Sequence, residues 1–156
     1  CDAVASSISA LAADRLLAPK PDDYVIVPQR SATEPLALVS RPDTELEKTL
    51  FWGVQVMIAA EEFGVTSANI DAKMATLKDL PIDEQRLISP TGPTADMAKK
   101  LGLHPEWSSR LIKQVGNYGE VFEKHIGKGS PLAMDRAASL NRLTRDGGLM
   151  FSFPIR

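Results

Sequence analysis

The chain has little sulfur and little imidazole: one cysteine, Cys1, and two histidines, His104 and His125. A lone thiol excludes an internal disulfide and any thiolate metal cluster. It leaves an oxidising compartment open, because a chain of 156 residues can bury a core without staples. The histidines fall at opposite ends of one expected helix, too far apart to share a metal, and neither has the i, i+4 partner of a metalloprotease helix. A G-x-S-x-G elbow and a Cys/His pair are both missing, which removes support from nucleophilic hydrolysis. One-signed charge is missing too. The formal charge is −2 with scattered basic residues, which gives no nucleic-acid surface. No Met, basic n-region or apolar h-region opens the chain. Cys1-Asp2-Ala3-Val4-Ala5 runs into a strand-like segment rather than the polar tether of a lipoprotein, so the chain is expected to begin within a larger protein. The most apolar stretch, 49–60 with Gln55 as its exception, is too short and too flanked by charge to cross a bilayer. No catalytic residue, metal or cofactor is therefore expected.

With 44% apolar and 24% charged residues, the composition is that of a soluble globular domain. The organising stretch is His104 to Pro131. Trp107, Leu111, Val115, Tyr118, Phe122 and Ile126 recur at three- and four-residue steps and predict one apolar helical face, with Gly127 as a left-handed stop. Gly116 and Gly119 cost a helix interior roughly 0.5–1 kcal/mol each relative to Ala, so they mark a kink or a close approach. His125, near the C-terminus of that helix, complements its dipole.

Upstream, Asp2 to Ser6, Tyr24 to Val27 (closed by Pro28) and Leu36 to Val39 read as strands. Ser7 or Ser9 caps a helix ended by Pro19 and Pro21. Thr44-Glu45-Leu46-Glu47 is a capping box, opening a helix that stops at Gly64 with Trp52 in its core. Short helices follow over 66–77, 81–88 and 94–101, and a last one runs from Ser130-Pro131 to about Asp146. An apolar tail, Leu149 to Ile155, docks on the body or adds a strand. The whole reads as α/β and helix-rich. Gly127-Lys128-Gly129-Ser130 could cradle a phosphate, but without the full Walker spacing a plain turn with a Ser cap is the better reading. Glu61 and Glu62 form an acidic pair that reads as a solvated helix end.

RLIKQVGNYGEVFEKHIGKGSPL and the ending GGLMFSFPIR resemble the C-terminal part of the periplasmic general L-amino-acid-binding proteins, the solute-binding components of polar amino acid ABC transporters. Glu34-Pro35-Leu36 resembles the point where the family chain re-enters its first lobe. The run from Ala60 through Glu61-Glu62-Phe63-Gly64-Val65-Thr66-Ser67-Ala68-Asn69-Ile70 to Asp71 is similar to the family's AEELGITSANVD. Leu101-Gly102-Leu103 and Gly147-Gly148-Leu149 also match, which leaves Lys73 to Thr94 as the vaguest part.

The resemblance implies a partial type II periplasmic-binding fold without catalysis. Residues 1–33 would be a remnant of the second lobe with the return strand. Residues 34–156 would be the C-terminal part of the first lobe with a helical extension. The arginine that pairs with a ligand carboxylate would lie in an absent N-terminal half. The family's Cys-Asp-x-x-x-x-Asp pattern places an aspartate for the ligand ammonium where this chain has Ser7. A hydroxyl can hydrogen-bond an ammonium but cannot neutralise it. Ser9 matches the family, whereas Ile8 replaces a residue that is commonly charged. Ser7 and Ser9 are thus the candidate ligand-binding residues. The implied partners are an L-amino acid for the complete protein, ABC permease subunits and a second copy of the chain, in the periplasm. The alternative is a degenerate helical interaction module that binds no small ligand. An enzyme, as some two-lobed relatives are, would need an acid–base group in the cleft, and none is evident.

Overall fold

Local sequence signals place most helix boundaries. In the computed structural model, which describes residues 2–27, 29, 32–33, 36–42 and 44–156, the first helix is α1, Ile8–Leu17, capped by Ser7. The second is α2, Glu45–Glu62, where the Thr44 hydroxyl accepts the Glu47 N–H at 3.1 Å. It ends where Gly64 turns left-handed at φ +66. There the Val65 N–H reaches back to the Ala60 carbonyl at 2.7 Å and the Gly64 N–H to Glu61 at 3.1 Å, the paired closure of a glycine-terminated helix. Short helices follow as α3 (Ile70–Ala75), α4 (Ile82–Ile88) and α5 (Pro93–Leu101, with Pro at its first position). The chain continues through α6 (Trp107–Val115) and α7 (Tyr118–His125).

Helix α2 is the centre. It packs against α4, α5, α6 and α7, and Val56, Ala59 and Ala60 join Ile70, Leu87, Ile88 and Ile112 in one buried cluster. Trp52 packs at its edge, as expected of a core tryptophan. Two polar groups inside the core find partners. The Trp107 indole N–H donates to the Thr94 carbonyl at 2.9 Å, and the Ser108 hydroxyl to the Leu87 carbonyl at 2.7 Å. The burial is one-sided, since Leu46 and Phe51 on the outer face of α2 remain exposed.

The expected single helix over 104–131 is two helices. Gly116, at φ +100, breaks it into α6 and α7, and Asn117 then starts α7 with a capping box. The Asn117 side chain accepts the Glu120 N–H at 2.9 Å, while the Glu120 carboxylate accepts the Asn117 N–H at 2.8 Å. Val115, the last residue of α6, is 48% exposed rather than on a buried face. Gly127 ends nothing in a left-handed turn. It is small because a Cβ there would meet the Glu123 Cα at 2.6 Å.

The three expected strands carry no ladder among the described residues, where one isolated bridge pairs Leu143 with Met150. A strand needs a lateral neighbour to satisfy its backbone, and Val25, Leu36 and Val39 are 83%, 81% and 94% exposed. Cys1, Pro28 and the Glu34-Pro35 pair lie outside the described residues. The expected last helix from Ser130 is also absent. Residues 127–156 form irregular chain with single 3-10 turns at Arg136–Ala138 and Thr144–Asp146. Side chains take over the backbone here. Ser130, Asp135 and Ser139 accept the N–H groups of Leu132, Ala137 and Asn141, a local pattern that competes with helix.

Candidate functional site

Ser7 and Ser9 sit at the start of α1, both half-buried. Their hydroxyls are 3.4 Å apart, and the Ser7 oxygen accepts the Ala10 N–H at 3.3 Å. Ser7 is therefore already employed as the helix cap. A hydroxyl has a donor and a second lone pair left over, so capping does not exhaust it. The structure brings these two hydroxyls together at the helix start, Ser7 as the cap and Ser9 in the first turn.

His104 and His125 lie on different segments, before α6 and in the last turn of α7. The backbone N–H of Glu106 donates to His104 Nδ1 at 3.2 Å. No group of three or more metal-ligating side chains occurs among the described residues. The Gly127–Ser130 loop holds an anion of its own. The Glu123 carboxylate accepts the Lys128 N–H at 3.1 Å, the Glu123 carbonyl accepts the Gly129 N–H at 3.1 Å, and the Ser130 hydroxyl closes onto the Gly127 carbonyl at 2.9 Å. The plain-turn reading is the one the geometry supports.

A groove of about 540 Å³ runs along α2 and α6. Leu38, Leu50, Val54, Met57 and Trp107 form its apolar floor, with Arg110 and Gln114 at the edge. Arg110 is engaged by Glu106 at 2.9 Å, so the groove is apolar surface with its charge already paired.

Two structural junctions were not legible beforehand. In the first, the turn after α2 docks on the start of α7. Thr66 and Asn69 cap each other reciprocally, with the Thr66 N–H on Asn69 Oδ1 at 2.8 Å and the Asn69 N–H on Thr66 Oγ1 at 3.1 Å. The Asn117 amide donates to the Val65 carbonyl at 2.9 Å, and the Ser67 hydroxyl to Glu120 at 2.6 Å. The Glu120 carboxyl feels burial, which raises its pKa, but hydrogen bonds from the Ser67 hydroxyl and the Asn117 and Ser67 N–H groups outweigh this and hold it below its ordinary value. The Asn117-x-x-Glu120 spacing was the available signal. It was hidden by reading one helix through Gly116.

In the second junction, Glu61 and Glu62 are not a solvated end. Both Arg136 nitrogens clasp Glu61 at 2.6 and 3.0 Å, with the two side chains 12% and 17% exposed. The Ser152 hydroxyl donates to Glu62. The two acids are anchors for the C-terminal segment, and the long separation in sequence left no local sign of it.

No protein-family model matches the chain. Over its whole length it is 36% identical to a general L-amino acid-binding periplasmic protein of Rhizobium johnstonii, of which it covers 44%. It is 37% identical, with the same 44% share, to a glutamate/glutamine/aspartate/asparagine-binding protein of Rhodobacter capsulatus. A solved structure, an ABC transporter/periplasmic binding protein from Brucella ovis with glutathione bound, matches with a TM-score of 0.81 and 37% identity, covering 95% of this chain and 44% of that one. The chain thus spans less than half the length of the curated relatives it matches. These homologues are solute-binding proteins of transport rather than enzymes, and the helix-rich shape found here is that of part of such a protein.

Proposed function

We propose that this chain, a homologue of the periplasmic solute-binding proteins of amino acid ABC transporters, serves amino acid transport as part of a substrate-binding component. The observation that carries this is similarity along the entire chain to proteins named for binding amino acids, joined to a close structural match. On this reading the protein works in the periplasm, takes an L-amino acid in its complete form and delivers it to permease subunits. Residues 1–33 belong to one lobe and 34–156 to the other. Ser7 and Ser9 face the ligand's ammonium end, with Ser7 also capping α1. No helix among the described residues is long and apolar enough to cross a membrane.

Calorimetric titration tests the reading, using the chain alone and the chain joined to the remaining part of the Rhizobium johnstonii relative, against a panel of L-amino acids and glutathione. Saturable heat from the joined protein supports it. No heat from either protein would overturn amino acid binding.

A second reading, an interaction module without a small ligand, is favoured by one observation. Tyr24, Val25, Val27, Leu36, Leu38 and Val39 place apolar side chains in water on segments that form no ladder among the described residues. On either reading we expect this surface to pair with a second copy of the chain. Sedimentation of the chain at micromolar concentration checks this, and a soluble monomer would count against it.

A further inference from the structure

We propose that residues 136–153 form a strap that opens as one unit while the helical core stays folded, held shut by a latch at the C-terminal end of α2. This inference rests on geometry alone and is independent of the transport reading.

The latch is recognisable by a misplacement. Helix α2 ends in Glu61-Glu62 with no basic residue in its last turn. Carboxylates at the negative pole of a helix are unfavourable unless cations come from elsewhere. The strap brings them. Arg136 forks onto the Glu61 carboxylate, and its guanidinium lies 5.4 Å from the ring centroids of both Tyr118 and Phe122. Arg145 donates to the Glu62 carbonyl at 2.6 Å. The Ser152 hydroxyl binds the Glu62 carboxylate, and the Phe153 N–H donates to Gln55 at 2.8 Å. Gly119 belongs to the same device, because a Cβ there would stand 2.9 Å from Arg136 Nη1 and 3.1 Å from the Glu61 carboxylate.

The strap is also internally tied, so its parts move together. Leu149 N–H donates to Leu140 at 2.9 Å, Met150 N–H to Arg142 at 3.0 Å, and Thr144 N–H to Met150 at 2.9 Å. Its apolar anchoring is slight by comparison. Leu143 is its one buried apolar side chain among the described residues, while Leu149, Phe151 and Phe153 are about half exposed. A segment with few buried apolar contacts and a polar fastening opens at less cost than the core beneath it. Opening uncovers the Phe51 and Gln55 side of α2 and the rings of Tyr118 and Phe122.

The test is hydrogen exchange read by mass spectrometry on the full 156-residue chain, comparing the parent with Glu62→Gln and Gly119→Ala. In both variants the amides of Thr144, Leu149, Met150 and Phe153 should exchange faster by a common factor of about tenfold, the loss expected when charge-assisted bonds go. The amides of α6 should keep their parent rates and so also report that each variant is folded. Tail amides at parent rates in both variants would overturn the strap, and so would an equal acceleration in α6. Should Gly119→Ala not fold, Glu62→Gln, which keeps the side-chain size, decides alone.

Discussion

Replacing Glu120 by glutamine should destabilise the fold at neutral pH and cost little in acid. The carboxylate accepts the Asn117 N–H at 2.8 Å, the Ser67 N–H at 3.1 Å and the Ser67 hydroxyl at 2.6 Å. Glutamine's one oxygen can still take both N–H groups at the Oε2 position while its NH₂ meets the Ser67 oxygen, so the contacts survive as neutral bonds without the charge that strengthens them. A hydrogen bond to a charged group is worth about 1.5–3 kcal/mol when buried, but Glu120 is half-exposed and water replaces part of the loss. A net cost of about 1–2 kcal/mol follows, or about 2–8 °C in Tm for a chain of this size. The pH dependence has a definite sign. Because the folded pKa lies below the ordinary value, the stabilisation is full above the unfolded pKa of about 4.3 and is lost as pH falls through the folded one. Urea unfolding, followed by fluorescence of Trp52 and Trp107, should therefore show the full gap between parent and variant from about pH 7 to 5, closing below about 4. A gap of equal size in acid and at neutrality would refute the reasoning. Adding Ser67→Ala should show coupling of about 1 kcal/mol between the two sites.

Gly116→Ala forces a side chain into φ +100 with its Cβ 2.9 Å from that of Glu120; a loss of about 2 kcal/mol or more in urea unfolding is expected. Lys73→Met strands Glu84, whose side chain is 11% exposed and 2.5 Å from the lysine. Thermal unfolding should show a cost of about 2–3 kcal/mol, and adding Glu84→Gln should recover part of it. On the proposed transport reading, Ser7→Asp retains a good helix cap and would give the ligand's ammonium a charged partner. In the joined protein it should tighten amino acid binding by about tenfold on calorimetric titration, since a charge-assisted bond is about twice a neutral one.

Helix starts and stops were legible because their chemistry is local. Ser7, Thr44 and Gly64 each act within a turn of themselves, and each stands where its side chain or its missing Cβ is needed. Gly116 and Gly119 were legible as a kink or a close approach, but not which glycine did which, nor that a side chain rather than a backbone comes close. One supplies a positive φ that restarts the chain as α7, and the other leaves room for a clasp that arrives from 17 residues further on, Arg136. What stayed hidden is non-local. Nothing beside Glu61 in sequence announces Arg136, and nothing beside Ser67 announces Glu120. The expected final helix failed for a related reason. Its Ser130-Pro131 start signal was real, but serines and an aspartate in the segment offered the backbone closer partners.

The strand segments present the opposite case, in which the sequence pattern asks for more than the described chain supplies. Tyr24 to Val27 and Leu36 to Val39 have the β-branched and aromatic make-up of buried strands, and yet their side chains are largely in water. Apolar runs of this kind gain by burial about 25 cal/mol per Å², a gain that here awaits a covering surface. The groove of about 540 Å³ on α2 and α6 borders one of these runs at Leu38, so its half-buried apolar floor and the exposed run adjoin. Ser7 and Ser9, the proposed ammonium contacts, supply only one side of a ligand site. Two hydroxyls at a helix start can orient an ammonium, but a charged, doubly polar ligand needs an opposing cation to be held against its hydration. Recognition of that kind is assembled across elements, whereas the capping that Ser7 performs needs only its own turn.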